Sequence, residues 1–127
     1  MTEKAIVIID DDENVAGALK RVLEITGGYR VSIAANGKAG IKLVRKTLPD
    51  LVLLDIIMPG IDGFEVLKRL KSDTRTMSIP VVMVSSEADE ESKIRGARLY
   101  TDLYLTKPVV PEELLTRIAQ VFKRHNI

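Results

Sequence analysis

The chain has 127 residues, of which 46% are hydrophobic, and this length fits one domain with a single core. Its 19 basic and 18 acidic residues give a net charge of +1, which argues against binding nucleic acid or membranes through bulk charge. Cysteine is absent, so disulfides and thiolate metal sites are excluded. Because no apolar run resembles a signal region or a membrane span, we expect one cytoplasmic domain over residues 1–127.

Short runs rich in Val and Ile alternate with segments of helical period, a pattern typical of repeated βα units around a parallel sheet. The second and fifth runs alternate apolar with polar residues, as edge strands do, whereas the other three are continuously apolar. We therefore predict an α/β fold of the flavodoxin-like, doubly wound type, with five helices and the parallel strand order 2-1-3-4-5. The predicted strands are Ala5–Ile9, Arg30–Ala34, Leu51–Leu54, Val81–Val84 and Leu103–Leu105.

Two of the five helices are clear from their periodicity. The first follows an acidic run and ends at Gly27–Gly28, a typical signal for the end of a helix. Its predicted apolar face consists of Val15, Leu19, Val22 and Leu23. The last begins at Pro111, and Glu112 and Glu113 suit the positive end of its dipole. Its predicted apolar face consists of Leu114, Leu115, Ile118, Val121 and Phe122.

Polar residues stand at the points where the apolar strands end. Asp10 and Asp11 follow the first strand, and Asp55 follows the third. The strand order places these two strands side by side, so the three carboxylates are expected to converge at one edge of the sheet. Crowded carboxylates resist ionisation unless a cation joins them, and all the candidate ligands are oxygens. The pattern predicts a hard divalent cation, Mg²⁺ or Mn²⁺, rather than zinc.

Such a cation site is also suited to phosphate, since Mg²⁺ keeps coordination positions for waters or phosphate oxygens. Lys107, after the fifth strand, would supply a positive charge. The hydroxyl of Ser85, after the fourth strand, would donate to a phosphoryl oxygen. Asp55 would be the nucleophile, because a carboxylate can accept a phosphoryl group to form an aspartyl phosphate.

Taken alone, several of these residues have a simpler interpretation. Asp12 is expected to cap the first helix, and Lys107 by itself would be a surface lysine. His125, near the C-terminus, is not expected to be a ligand. Gly60 and Gly63 are expected to serve only the turn after the third strand. The functional interpretation therefore depends on the whole set of residues.

Four motifs together resemble the receiver domains of bacterial two-component response regulators over essentially the whole chain. They are Ile-Val-Ile-Ile-Asp-Asp-Asp (6–12), Leu-Leu-Asp-Ile-Ile-Met-Pro-Gly-Ile-Asp-Gly (53–63), Val-Met-Val-Ser-Ser (82–86) and Tyr-Leu-Thr-Lys-Pro (104–108). The resemblance implies that Asp10 and Asp11 are an acidic metal-binding pair. It further implies that Asp55 is the phosphoacceptor and that the backbone carbonyl of Ile57 is an additional metal ligand.

The same resemblance implies a switch and its partners. Ser85 would be the switch hydroxyl, Tyr104 the aromatic switch residue, and Lys107 the contact to the phosphoryl group. The bond between Lys107 and Pro108 is often cis in this family. The implied phosphoryl donor is a phosphohistidine on a sensor histidine kinase or a histidine phosphotransfer domain. The implied output is a changed surface on the fourth helix, fifth strand and fifth helix that binds a downstream protein or effector domain, without direct contact to nucleic acid or membrane.

Two departures from the family pattern precede the fifth strand. The usual Gly-Ala turn of the family falls on Tyr100–Thr101 in an ungapped comparison, and Gly96–Ala97 comes a few residues early. These departures concern the loop before the fifth strand and the end of the fourth helix. Neither touches the predicted phosphorylation site.

Other functions are compatible with parts of the pattern. A Mg²⁺-dependent phosphatase of the haloacid dehalogenase type also has Asp-x-Asp after its first strand. Asn14 stands where that family expects Thr or Val, however, and a chain this short has no obvious cap to enclose a substrate. A flavin carrier is disfavoured because the acidic loop would repel the cofactor phosphate. An interaction module that needs no phosphorylation would share the fold, but the retention of every site residue argues against it.

Overall fold

The computed structural model of the protein describes residues 3–86 and 103–127. Five parallel strands form one sheet in the order β2-β1-β3-β4-β5, which confirms the predicted topology and the two predicted edge strands. The strands are β1 (Ala5–Ile9), β2 (Arg30–Ala34), β3 (Leu51–Asp55), β4 (Val81–Ser86) and β5 (Leu103–Lys107). The helices within the described residues are α1 (Glu13–Ile25), α2 (Gly37–Thr47), α3 (Gly63–Lys71) and the C-terminal helix α4 (Pro111–Arg124).

The first two strands have the predicted bounds, and the other three are longer than predicted. Asp55 belongs to β3, Ser85 and Ser86 belong to β4, and β5 extends to Lys107. The reason is that backbone pairing continues past the last apolar side chain, with Asp55 opposite Val84 and Ser86 opposite Lys107. The helix predicted as the fourth, between β4 and β5, lies outside the described residues and is distinct from the C-terminal helix α4. Outside them too are Gly96–Ala97 and Tyr100–Thr101.

Side chains on successive strand residues point to opposite faces, so the sheet has a core on each side. Ile6 and Ile8 of β1 face α1 and the C-terminal helix, whereas Val7 and Ile9 face α2 and α3. Each large aliphatic side chain buried in this way contributes roughly 1.5–3 kcal/mol to folding. Two hydrophobic layers therefore hold the central strands rigidly, together with the polar residues at their ends.

The local signals that begin and end the helices explain their positions. The Asp12 side chain accepts hydrogen bonds from the backbone N–H groups of Asn14 and Val15, which confirms it as the N-cap of α1. This helix ends before Gly28, which has a φ of 71° that glycine adopts readily. In α1 the buried residues are Ala16, Leu19 and Leu23, and in the C-terminal helix they are Leu114, Ile118, Val121 and Phe122. Within the described residues, no helix is long and apolar enough to cross a membrane.

Candidate functional site

Two aspartates are fixed side by side at the carboxyl edge of the sheet. Asp10 follows β1, and its backbone N–H donates to the carbonyl of Ala34 at 3.1 Å. Asp55 is the last residue of β3, and the next N–H, that of Ile56, donates to the carbonyl of Val84 at 3.1 Å. Because β1 and β3 are hydrogen-bonded neighbours, backbone pairing brings the two carboxylates together.

Asp11 joins these residues in an acidic pocket, which we define as Asp10, Asp11 and Asp55. One carboxylate oxygen from each residue lies within 4.8 Å of the other two. Asp10 and Asp55 are buried, with 3% and 6% of their surface exposed, whereas Asp11 is exposed. Asp10 Oδ1 accepts a hydrogen bond from the Asp12 N–H at 2.9 Å, which orients its carboxyl group. The predicted convergence of the three aspartates is therefore present in the fold.

Lys107 lies between the two buried carboxylates. Its Nζ is 3.4 Å from Asp10 Oδ2 and 3.4 Å from Asp55 Oδ1. Burial lowers the pKa of Lys107, but attraction to Asp55 and Asp10 outweighs this effect and leaves the pKa above its usual value. Lys107 is thus a charged ammonium group inside the pocket, as the sequence predicted, and not a solvated surface lysine. The bond between Lys107 and Pro108 is cis.

Within residues 3–86 and 103–127, Lys107 is the one ammonium group paired with the three carboxylates, and a single positive charge does not neutralise them. Burial and then repulsion from Asp10 raise the pKa of Asp55 to about 6, and Asp11 adds to this repulsion. The charge and hydrogen bond of Lys107 lower the pKa of Asp55, but they do not offset the raising effects. The pocket therefore has a deficit of positive charge at neutral pH.

The donor set of the pocket fits a hard divalent cation. All three side chains offer carboxylate oxygens, which Mg²⁺ and Mn²⁺ prefer, and the exposed Asp11 leaves the site open to solvent. A cation bound among these oxygens would remove the repulsion that raises the pKa of Asp55. The acidic pocket can therefore hold a metal ion.

Gly63, at the start of α3, contacts the backbone of the acidic pocket. Its N–H donates to the Ile56 carbonyl at 2.8 Å, and a Cβ atom at this position would lie 2.4 Å from the carbonyl oxygen of Asp55. The sequence interpretation gave Gly60 and Gly63 only a turn role. That role fits Gly60, which has a φ of 80°, but Gly63 also allows a close approach of helix and strand.

The remaining predicted residues lie around this edge of the sheet. Ile57, two residues after Asp55, is half exposed. The backbone of Ser85 pairs with Thr106 on the neighbouring strand, one residue before Lys107. Tyr104 is partly buried and packs against the hydrophobic core on the side of α2 and α3. His125 caps the C-terminal helix, away from the strand ends that form the pocket. The roles predicted for Ile57, Ser85 and Tyr104 stay predictions.

Comparison with known proteins places this arrangement in a family. Residues 6–119 match the response regulator receiver domain. Protein PilH of Pseudomonas aeruginosa is 41% identical over 116 residues, which cover 91% of this chain and 95% of that protein. A solved structure of a CheY-like response regulator receiver domain protein from Methanospirillum hungatei has 30% identity and a TM-score of 0.88, and covers 98% of both chains.

Some relatives are about twice as long as this chain. The phosphate regulon transcriptional regulatory protein PhoB of Pseudomonas aeruginosa is 36% identical over 98% of the chain, which spans 54% of that protein. The chain also spans about half the length of two other curated relatives. These matches favour a receiver over a phosphatase of the haloacid dehalogenase type. The motifs, the fold and the acidic pocket agree with them, and the chain belongs to the response regulator receiver domains, the phosphorylation-activated switches of two-component signalling.

Proposed function

We propose that Asp55 accepts the phosphoryl group of a phosphohistidine on a sensor histidine kinase or a histidine phosphotransfer domain. An Asp55 carboxylate oxygen attacks the phosphorus, a P–O bond forms, and the P–N bond breaks with its electron pair leaving on the imidazole nitrogen. The observation that carries the proposal is the buried Asp55 carboxylate with the Lys107 ammonium at 3.4 Å. Lys107 then faces the negative charge of the incoming phosphoryl oxygens.

We assign the metal site to Asp10, Asp11, Asp55 and the backbone carbonyl of Ile57. Mg²⁺ is the expected ion, and Mn²⁺ is expected to substitute for it, because the side-chain donors are carboxylates. When bound, the ion supplies positive charge that offsets the repulsion between the carboxylates and the phosphoryl oxygens. Asp10, which is buried and held by the Asp12 N–H, gives the site a fixed ligand. Asp11 is exposed and adds a ligand at the mouth of the pocket.

The phosphorylated state is expected to be read through Ser85 and Tyr104. In this proposal the Ser85 hydroxyl moves towards the phosphoryl group and Tyr104 turns into the space between β4 and β5. The surface formed by the predicted fourth helix, β5 and the C-terminal helix then changes, and a downstream protein or effector domain binds it. Phosphorylation shifts the equilibrium between two existing conformations, so it needs to favour the active conformation by only a few kcal/mol.

The domain is proposed to span residues 1–127 and to act in the cytoplasm. Its own chemistry is limited to its phosphorylation and dephosphorylation, so it is a signalling protein rather than an enzyme with a separate substrate. No direct contact with nucleic acid or membrane is assigned to this domain.

The phosphoacceptor is tested by incubating the protein with acetyl phosphate and Mg²⁺ and measuring the intact mass. One phosphoryl group is expected on the wild type, and none after chelation of the metal or in Asp55→Asn. Asp12→Asn is the matched control, because asparagine keeps the side-chain oxygen that caps α1. Equal labelling of Asp55→Asn and wild type would disprove the assignment of Asp55.

The switch is tested by NMR of tyrosine-labelled protein with beryllofluoride as a phosphoryl mimic. We expect a large shift of the Tyr104 signals in the wild type and a much smaller one in Ser85→Ala. If Tyr104 does not respond while the mimic occupies Asp55, the proposed relay through Ser85 and Tyr104 is wrong. Phosphorylation of Asp55 would remain valid in that case.

A further inference from the structure

A groove between α2 and α3 carries a concentration of positive charge that the phosphorylation chemistry does not use. Two adjoining concavities, of about 480 and 350 Å³, share Arg45 and Arg69 in their walls. Lys38 and Lys42 complete the walls on the α2 side. We call this surface the basic groove and define it by Lys38, Lys42, Arg45 and Arg69. The acidic pocket, by contrast, lies at the carboxyl ends of the strands.

The sequence of α2 makes this charge local. The helix contains four basic residues and no acidic one, although the chain as a whole has a net charge of only +1. Lys38, Lys42 and Arg45 follow one another at helical spacing i, i+4 and i+7, so they lie along one side of the helix over about 10 Å. Like charges at this spacing repel one another, so the three side chains destabilise the helix as long as no anionic partner is bound.

The arginines of the groove are held in place, and the lysines are available. Arg45 Nε donates to Asp73 at 3.1 Å, and Arg69 Nε donates to Glu65 at 3.1 Å. Within residues 3–86 and 103–127, no carboxylate forms an ion pair with Lys38 or Lys42. Asp73 is the one acidic residue that the described part of the chain contributes to the walls of the two concavities, and it already binds Arg75 as well as Arg45.

The arrangement indicates the chemistry of the partner. Exposed cations spread over about 10 Å do not converge on a single phosphate, but they match negative charges repeated along a chain. Among the residues that the structure describes, none that lines the groove has an aromatic side chain on which a nucleic acid base would stack. Leu48, directly after α2, has 52% of its surface exposed and adds an apolar group at the end of the basic helix. A protein segment offers both acidic and apolar side chains.

We propose that the basic groove binds an acidic segment of a partner protein. Glutamates or aspartates of that segment pair with Lys38, Lys42 and Arg45, and the interaction adds a second contact surface to the receiver. Binding through these exposed charges weakens as salt shortens the screening length, which is about 10 Å at 0.1 M ionic strength. The proposal does not depend on phosphorylation of Asp55.

The test uses a dye-labelled helical peptide with glutamates at spacing i, i+4 and i+7, and fluorescence anisotropy at low salt. We expect binding to the wild-type chain and to Asp55→Asn alike, and no binding of the peptide in which glutamine replaces each glutamate. The double variant Lys38→Glu/Lys42→Glu is expected to bind about tenfold more weakly or worse, because two attractions become two repulsions. Circular dichroism checks that this variant is folded.

A matched control changes the same amount of charge on the opposite face of the sheet. Arg21 and Lys123 are exposed on α1 and the C-terminal helix, and Arg21→Glu/Lys123→Glu is expected to keep peptide affinity within about twofold of wild type. Equal weakening by both double variants would show that diffuse charge, not the groove, attracts the peptide and would overturn the proposal.

Tighter binding of a single-stranded oligonucleotide of equal charge would assign the groove to nucleic acid instead. Self-association lost in Lys38→Glu/Lys42→Glu would make a second copy of the chain the occupant.

Discussion

The acidic pocket and the loop after α3 both hold an aspartate against basic side chains, but the pKa of that aspartate shifts in opposite directions. In the pocket, burial and the neighbouring Asp10 raise the pKa of Asp55 to about 6. In the loop, hydrogen bonds and charge from Arg75, with a smaller contribution from Arg45, lower the pKa of Asp73 to about 2. The distances to the cations are similar, at 3.4 Å for Lys107 to Asp55 and 3.0 Å for Arg75 to Asp73.

The difference lies in the balance of charges and in burial. Two guanidinium groups face one carboxylate at Asp73, whereas one ammonium group faces three carboxylates in the pocket. Asp55 is also largely removed from water, which disfavours its charged form. Asp73 therefore has its counter-charges within the protein. The pocket lacks such a balance among the described residues, and this deficit suits the proposed binding of a cation and of a phosphoryl group.

The largest expected effect is on the pH dependence of stability in metal-free protein. The pKa of Asp55 is higher in the folded state than in the unfolded state, so protonation of Asp55 stabilises the fold. This stabilisation is fully present below pH about 4 and is lost as pH rises through about 6. The loss corresponds to no more than about 3 kcal/mol. Asp55→Asn removes it, so we expect the variant to be more stable than wild type at pH 7.

Urea unfolding at pH 4 and at pH 7 in the presence of a chelator measures this effect. The informative quantity is the difference between the two proteins at each pH, because groups away from the pocket titrate equally in both. Parallel pH profiles of wild type and Asp55→Asn would contradict the raised pKa. Addition of Mg²⁺ is expected to stabilise the wild type at pH 7 by binding to the folded state.

Removing Asp11 is expected to separate metal binding from folding. Asp11→Ala should weaken Mg²⁺ or Mn²⁺ binding by about tenfold or more, since a carboxylate ligand is lost. Its exposed position and the relief of repulsion mean that the free energy of unfolding should stay equal or rise. Titration calorimetry and Mn²⁺ relaxation measure the affinity. Unchanged affinity in Asp11→Ala would remove Asp11 from the site.

Two glycines provide a sharper test of how α3 supports the pocket. In Gly63→Ala the new Cβ would lie 2.4 Å from the Asp55 carbonyl oxygen, so we expect destabilisation by about 1–3 kcal/mol and slower phosphorylation by acetyl phosphate. A Cβ atom added at Gly17 in α1 would have no neighbouring atom within 4 Å, and Gly17→Ala should stabilise the chain by about 0.5–1 kcal/mol. Equal effects of the two substitutions on thermal unfolding would show that Gly63 does not constrain the pocket.

The acidic pocket could be predicted from sequence because the carboxyl ends of neighbouring parallel strands meet at one edge of the sheet. Once apolar runs gave the order of the strands, Asp10 and Asp55 had to be neighbours. Strand ends were harder to predict, since hydrophobicity indicates burial while Ser86 and Lys107 continue the ladder through backbone hydrogen bonds. The fold class and the carboxylate cluster therefore followed from pattern, and the exact bounds of β3, β4 and β5 did not.

Two features were not predicted from the sequence. The contact of Gly63 with Asp55 depends on how closely α3 approaches β3, and a glycine near a turn has simpler explanations. The pairing of Arg45 with Asp73 joins residues 28 positions apart through the packing of α2 against α3. Neither Arg45 nor Asp73 belongs to one of the four motifs. Such charge pairs become visible only when the relative positions of two helices are known.

The smallest expected effect concerns Asp73 itself. Because its pKa is lowered, its ion pairs contribute stability above pH about 4, and this contribution is lost as pH falls through about 2. Asp73→Asn should therefore be slightly less stable than wild type at pH 7, and the difference should shrink towards pH 2. Chemical unfolding of both proteins across this range measures it.

Glu113→Gln is the control, because Glu113 and Arg117 form an exposed pair at 4.0 Å, so its loss is expected to be limited to the small helix-dipole contribution of an acid in the first turn. The two variants remove the same charge, so a loss that is larger in Asp73→Asn than in Glu113→Gln reflects the paired arginines at that loop. If Asp73→Asn is as stable as wild type at every pH, the ion pairs of Asp73 stabilise the fold no more than an ordinary surface ion pair does. The contrast with Asp55 would then rest on burial and carboxylate crowding in the pocket alone.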